Sequence, residues 1–237
     1  MGAAEIEVRK LVAGYGATRV LENVSLAVPA GNRLSVLGRN GMGKTTLLAS
    51  LMGLTQRHAG DILLNGVDVS TLGTSLRAGQ GFGYVPQTRD VFPSLTVEEN
   101  LIAGQKGRPR RELDEAYEMF PRLKERRANL GGQLSGGEQQ MLSTARAILG
   151  HPTALLLDEP LEGLAPVICD ELMTSLYRLA ESRRMTIVLV EQQIERALNF
   201  ADDVVILERG RIAWSGKPQA VRNDERLIER FIGMSIH

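Results

Sequence analysis

A single cysteine, Cys169, is all the thiol the chain carries, which excludes an intramolecular disulfide and favours a reducing compartment. On its own that residue reads as a small core side chain. Net charge is missing as well. Lys and Arg together number 28, as do Asp and Glu, so no global field draws the chain to nucleic acid or to an anionic membrane surface. Any partner has to be recognised locally. No apolar run approaches the about 18 residues of a membrane span. The opening "MGAAEIEVRK" has no signal-peptide core, and Ile6 stands where a myristoylation signal requires Ser or Thr. A cytosolic protein is expected, one that meets membranes only through other chains.

What is present is an ordinary hydrophobic fraction, 43% of 237 residues, enough to build the core of one large domain or two small ones. The first part reads as strand-rich: "EIEVRKLVAGY", "RVLENVSLAV" and "NRLSVLG" are short apolar or alternating runs with turn residues between them. "GKTTLLASLMG" reads as a helix, and Asn65-Gly66 in "GDILLNGVDV" is a strong hairpin turn. Residues 96 to 150 change to long helical patterns, with charge-rich stretches such as "RPRRELDEAYEMFPRLKERR". Strand patterns return at "TALLLDE", "MTIVLVE" and "DDVVILERG", with helical stretches between them, and near-continuous apolar strands of that kind mark a buried parallel sheet in an α/β core. The segment "KPQAVRNDERLIERFIG" reads as short amphipathic helices. There is no internal repeat, low-complexity tract or linker.

"GRNGMGKTT", residues 38 to 46, fits the P-loop pattern through Gly38, Gly43, Lys44 and Thr45, after an apolar strand and opening a helix. Glycines there let backbone N–H groups face phosphate oxygens, and the helix N-terminus adds its dipole. Lys44 is expected to reach the β- and γ-phosphates, and the Thr45 hydroxyl to ligate Mg²⁺. A P-loop needs an acidic partner on a neighbouring strand. "ALLLDEP" supplies Asp158 for Mg²⁺ and Glu159 as base for the attacking water, the two pointing apart because side chains alternate along a strand.

With these motifs in place the whole chain resembles the ATP-binding subunits of ABC transporters. The resemblance implies a P-loop NTPase (RecA-like) α/β core with a parallel sheet, an N-terminal antiparallel β subdomain and an inserted helical subdomain. Residues 1–87 and 153–237 would form the core, and residues 88–152 the helical subdomain. "LSGGEQQ", residues 134–140, is similar to the signature motif that completes the ATP site of an opposing subunit, with Ser135, Gly136, Gly137 and Glu138 as its contacts. A capping box of Ser135 and Glu138 accounts for two of those residues but for neither glycine. In the P-loop, Gly38, Asn40, Gly41, Gly43, Lys44, Thr45 and Thr46 carry over as nucleotide contacts. Tyr15 matches the aromatic that stacks on adenine, and Gln87 the glutamine that reaches Mg²⁺ and the attacking water. Phe92, Pro93 and Leu95 fall in the stretch that meets a coupling helix of the membrane subunits.

Two departures narrow the resemblance. Gln192 stands where the family commonly has a histidine; an amide can donate to a γ-phosphate but carries no proton near neutral pH, which leaves the base role to Glu159. In "PLEGLAP", Leu161 replaces the usual Ser or Thr and Ala165 the usual Asp, so weaker communication across a dimer is expected. "EGLAP" with "VEQ" resembles the second ATPase subunit of importers for branched-chain amino acids and related cargo. That likeness implies ATP and Mg²⁺ as cofactors. It further implies permease subunits and a second ATPase chain as partners, and, indirectly, a periplasmic binding protein. The place of work would be the cytoplasmic face of the inner membrane. The competing readings are the ATPase of an exporter such as a lipopolysaccharide transporter, and a soluble ABC ATPase acting on nucleic acid. The latter is disfavoured by a single P-loop, a single signature and zero net charge.

Overall fold

The computed structural model describes residues 2–105, 107, 109–181, 185–224, 226, 227 and 229. Ten strands form two sheets among these residues. The antiparallel sheet has the order β2(Thr18–Val28), β1(Ile6–Tyr15), β4(Gln56–Leu64), β5(Val67–Asp68). Its β4–β5 turn is the expected two-residue hairpin. Leu64 pairs with Val67, and Asn65 and Gly66 have φ of 50° and 74°, the left-handed pair that a twisted ribbon requires.

The six-stranded sheet has the order β10(Arg211–Gly216), β9(Asp203–Glu208), β3(Arg33–Leu37), β8(Thr186–Val190), β7(Ala154–Asp158), β6(Phe82–Val85). All neighbours are parallel except β9 and β10. The apolar runs become central strands because both of their faces are covered. Leu155 and Leu157 of β7, with Ile187 and Leu189 of β8, join a core with Leu101, Met141 and Leu172. Ala154, Leu156, Val188 and Val190 point the other way, toward Ile6, Leu21, Leu48 and Ile62. The two-residue period of a strand thus divides one sheet between two cores.

The helices are α1(Lys44–Leu51), α2(Thr74–Gln80), α3(Val97–Gly104), α4(Leu113–Met119), α5(Pro121–Glu125), α6(Gly136–Ile148), α7(Pro166–Glu181), α8(Ile194–Phe200) and α9(Pro218–Arg222). The charge-rich stretch expected as a long helical pattern is broken into α4 and α5. Phe120, before Pro121, leaves the helical region at φ −133° and ψ 83°, as the steric clash with a following proline ring requires, and Pro121 opens the next helix. Much of the amphipathic pattern expected after Asp224 lies outside the described residues. No described helix is long and apolar enough to cross a membrane.

Candidate nucleotide site

The parallel strands β3, β6, β7 and β8 end side by side, with Val36 opposite Val190, Asp158 opposite Val190, and Val85 opposite Leu157. Each strand therefore releases its next residues at one edge of the sheet, where α/β proteins place their ligands. β3 delivers the loop 38–43, β6 delivers Gln87, β7 delivers Asp158 and Glu159, and β8 delivers Gln192. A cavity of about 430 Å³ there is lined by Asn40, Gly41, Gly43, Lys44, Thr45, Thr46, Gln87, Glu159 and Gln192, together with Val20 and Glu162. The structure thus brings together most of the residues picked from the P-loop and strand ends. Gly38 lies beneath the loop, at φ 140° and so close to the Leu207 carbonyl that a Cβ would meet it at 2.4 Å. Tyr15 closes β1, 52% exposed, and is outside the described lining.

Local chemistry explains why this helix start suits phosphate. Gly43 caps α1 in the left-handed conformation with no side-chain cap bond, and the first turn carries no acidic residue. The N-terminal amides of α1 are left to a ligand anion. Lys44 is buried. Its Nζ donates to the carbonyls of Gly38 at 2.8 Å and Arg39 at 3.2 Å, and lies 3.7 Å from Glu159 Oε1.

Two carboxylates face this loop. Asp158 is fully buried; it accepts from the Thr45 hydroxyl at 3.1 Å and the Tyr84 hydroxyl at 3.2 Å. Burial pushes its carboxyl up to about 6, against the pull of those two bonds. Burial and the Asp158 charge also hold the Tyr84 phenol protonated. Glu159 lies past the strand end, in left-handed conformation at φ 48°, with its N–H donating to the Val190 carbonyl at 2.9 Å. Its divergence from Asp158 comes from this backbone turn, which corrects the expectation from strand alternation. Glu159 Oε2 accepts from Gln192 Nε2 at 2.6 Å and from Gln87 Nε2 at 3.1 Å. One lysine and two amides therefore converge on one carboxylate.

The raised Asp158 value has a stability consequence. The unfolded value is 3.8 and the folded one about 6, so between these the native chain holds a proton that the unfolded chain has lost. Stability from this group is present at low pH and disappears as pH rises through about 6. Without nucleotide or magnesium, Asp158→Asn should stabilise the chain at pH 7.5 by on the order of 2 kcal/mol, about 5 °C in Tm. A melting temperature below that of the parent at that pH would contradict this.

The signature segment lies apart from the cavity. Ser135 caps α6 with the expected box: its Oγ accepts from Glu138 N at 3.3 Å, and its N–H and hydroxyl donate to Glu138 Oε2 at 2.8 and 2.9 Å. Burial opposes ionisation of Glu138, but the Ser135 bonds still bring its carboxyl below the usual range. The two glycines have neighbours within the chain. A Cβ on Gly136 would meet Arg89 Nη1 at 2.9 Å, and one on Gly137 would meet Ile168 Cγ2 at 2.9 Å. Close packing against the branched Ile168 side chain gives Gly137 a reason of its own, whereas the mobile end of Arg89 can yield at Gly136.

Sequence reasoning missed Tyr84, which holds Asp158, and Glu162, whose Oε2 accepts from Gln87 Nε2 at 2.6 Å. Each contact spans more than 70 residues of sequence, and no local pattern signals it. Leu161 is fully buried in the core against α7, so its side chain is not offered to another chain, whereas Ala165 is exposed.

A P-loop on β3, with the acids at the end of β7 two places along the sheet rather than on the adjoining strand as expected, defines a nucleotide-hydrolysing α/β protein. Residues 21–162 match the family model for the ABC transporter, and the chain belongs to that family as an ATP-binding, ATP-hydrolysing member. It is 37% identical over 229 residues to the probable branched-chain amino acid transport ATP-binding protein LivF of Archaeoglobus fulgidus, covering 95% of this chain and 97% of the relative. It is 39% identical to the high-affinity branched-chain amino acid transport ATP-binding protein BraG of Pseudomonas aeruginosa, covering 92% and 95%. The lipopolysaccharide export system ATP-binding protein LptB of Haemophilus influenzae is 34% identical, at 94% and 95% coverage. A solved ATP-binding subunit of an ABC transporter superposes with a TM-score of 0.81 at 28% identity, covering 92% of each chain.

Proposed function

We propose that this chain is the motor subunit of an importer for branched-chain or related amino acids, working as a head-to-tail pair with a second copy or a similar ATPase chain. The observation that carries the pairing is a split site. The cavity at 38–46 has the loop, the lysine and the acids, while the capped start of α6, Ser135 to Glu138, is not part of that lining. Each chain would lend Ser135 through Glu138 to its neighbour's nucleotide. Tyr15, exposed at the end of β1, would stack on the base. The likeness to LivF and BraG favours import over export.

Glu159 takes a proton from the attacking water, and the amides of Gln87 and Gln192 orient that water and the carboxylate. A hydroxyl and a carboxylate 3.1 Å apart, Thr45 and Asp158, make a hard-oxygen donor set that fits Mg²⁺, with Gln87 nearby. The ion would neutralise charge on the phosphates when bound.

Residues 88–152 serve as the helical subdomain between the core segments 1–87 and 153–237. At their junction a cleft of about 400 Å³ is lined by Met52, Leu54, Tyr84, Phe92 and Arg146, among others. Leu54 and Phe92 are about half exposed. The Arg146 guanidinium lies 4.8 Å from the Phe92 ring centroid and donates to the Asp90 carbonyl, while its Nη1 is buried without a partner among the described residues. An apolar floor with a guanidinium in its wall suits an apolar permease helix. The permease would hold the chain at the cytoplasmic face of the inner membrane and receive cargo from a periplasmic binding protein. Phe92→Asp tests the docking. It should abolish co-purification with the membrane subunits while leaving ATP affinity within about twofold. Unchanged co-purification would sink the assignment of this cleft.

A further inference from the structure

The cavity leaves one buried carboxylate at the strand ends without a task. Glu191 is 2% exposed and sits between Val190, the last residue of β8, and Gln192. Its Oε1 accepts from the backbone N–H of Gln192 at 2.7 Å and of Gln193 at 3.1 Å. Its Oε2 is buried and makes no hydrogen bond with any described group. A buried, half-satisfied carboxylate is costly, and burial raises its pKa despite the backbone amides of Gln193, Gln192 and Leu161 that favour the charged form. The neighbouring charges are Glu159, which opposes ionisation of Glu191, and Arg196.

The geometry around this group links two things. Gln192 reaches Glu159 Oε2 at 2.6 Å, and an amide can hold that contact only if the backbone from which it springs is fixed. Glu191 fixes it by two bonds. The same carboxyl faces the amide of Leu161, in the loop 160–165 that leads from Glu159 to α7. We propose that Glu191 is a positioning residue for hydrolysis, which holds the Gln192 amide against Glu159 and ties it to the loop 160–165. A shift of that loop is then felt at Gln192 through Glu191, whose carboxyl faces the backbone amides of Leu161, Gln192 and Gln193. This inference rests on the reading of Glu159 and Gln192 as the hydrolytic pair.

A double-mutant cycle on the full chain tests it, with steady-state ATP hydrolysis measured for Glu191→Ala, Gln192→Ala and the double variant. Glu191→Ala should lower kcat by about tenfold, with KM for ATP within about twofold, the pattern of an interaction used after binding. Glu191→Gln keeps an acceptor for both backbone N–H groups and should return kcat to within about threefold of the parent. In the Gln192→Ala background, Glu191→Ala should cost nothing more. If the alanine variant does not fold, Glu191→Met, which is similar in size and lacks the acceptor, should give the same loss of kcat. An unchanged kcat in the acceptor-less variant, multiplicative losses in the double variant, or no rescue by glutamine would each overturn the proposal. If Gln192→Ala itself hydrolyses ATP normally, the reading of the hydrolytic pair falls and the proposal with it. If Gln192→Ala is slow and Glu191→Ala is not, the proposal alone falls.

Discussion

Glu159→Gln should bind ATP with nearly the parental affinity and hydrolyse it 10² to 10⁴ times more slowly, on the order of what a positioned general base contributes. The substitution keeps the side chain's length and one carbonyl oxygen, so the amides of Gln87 and Gln192 retain an acceptor near the place they now share, 3.1 and 2.6 Å from Glu159 Oε2. What is lost is the negative charge proposed to take the water proton. Lys44, 3.7 Å from Glu159 Oε1, also loses its counter-charge and is freed for phosphate, so binding has no reason to weaken. Phosphate release at saturating ATP, set beside a nucleotide titration of the same protein, separates the two effects. A parental rate would place the base elsewhere.

Lys44→Ala should act on the earlier step and lower ATP affinity by about 100-fold, the loss expected from one or two charged hydrogen bonds in a closed site. The Lys44 ammonium is held by the Gly38 and Arg39 carbonyls, at 2.8 and 3.2 Å. It bends back over the loop 38–43. No other lysine or arginine is among the described residues lining the cavity, so nothing nearby replaces the charge. Calorimetric titration with ATP checks this, and an affinity like the parent's would remove the P-loop from the nucleotide site. The two variants are complementary: one binds and does not turn over, the other fails to bind.

The chemistry of this site was legible in the sequence where it depends on neighbours in the chain. Gly38 through Thr46 are contiguous, and the apolar runs on either side announced a strand and a helix. Asp158 was placed by the run "ALLLD", since only a strand end brings an acid to the mouth of a parallel sheet. Three features depended on contacts that no local pattern encodes. The left-handed turn at Glu159, rather than strand alternation, aims its carboxylate, because the strand has already ended at Asp158. Gly137 is packed against Ile168 of α7, more than 30 residues further along the chain. Glu191 reads as one polar residue after "TIVLV", and only the fold reveals that it is buried and bonded to the backbone at Gln192 and Gln193. The break between α4 and α5, by contrast, was written in Pro121 and was obscured only by the helical periodicity on both sides.

The central claim is that "LSGGEQQ" binds the nucleotide of a neighbouring chain, and the solution mass of the Glu159→Gln protein tests it most directly. Light scattering with and without ATP should show a mass that doubles only when ATP is present, since hydrolysis no longer separates the pair. With Ser135→Trp added, the mass should stay at that of one chain while ATP still binds, because a bulky residue at the cap blocks the approaching phosphate. A protein whose mass doubles whatever occupies position 135 would contradict the claim, whereas one that binds ATP at the mass of a single chain would assign the partner to a similar ATPase chain rather than a second copy.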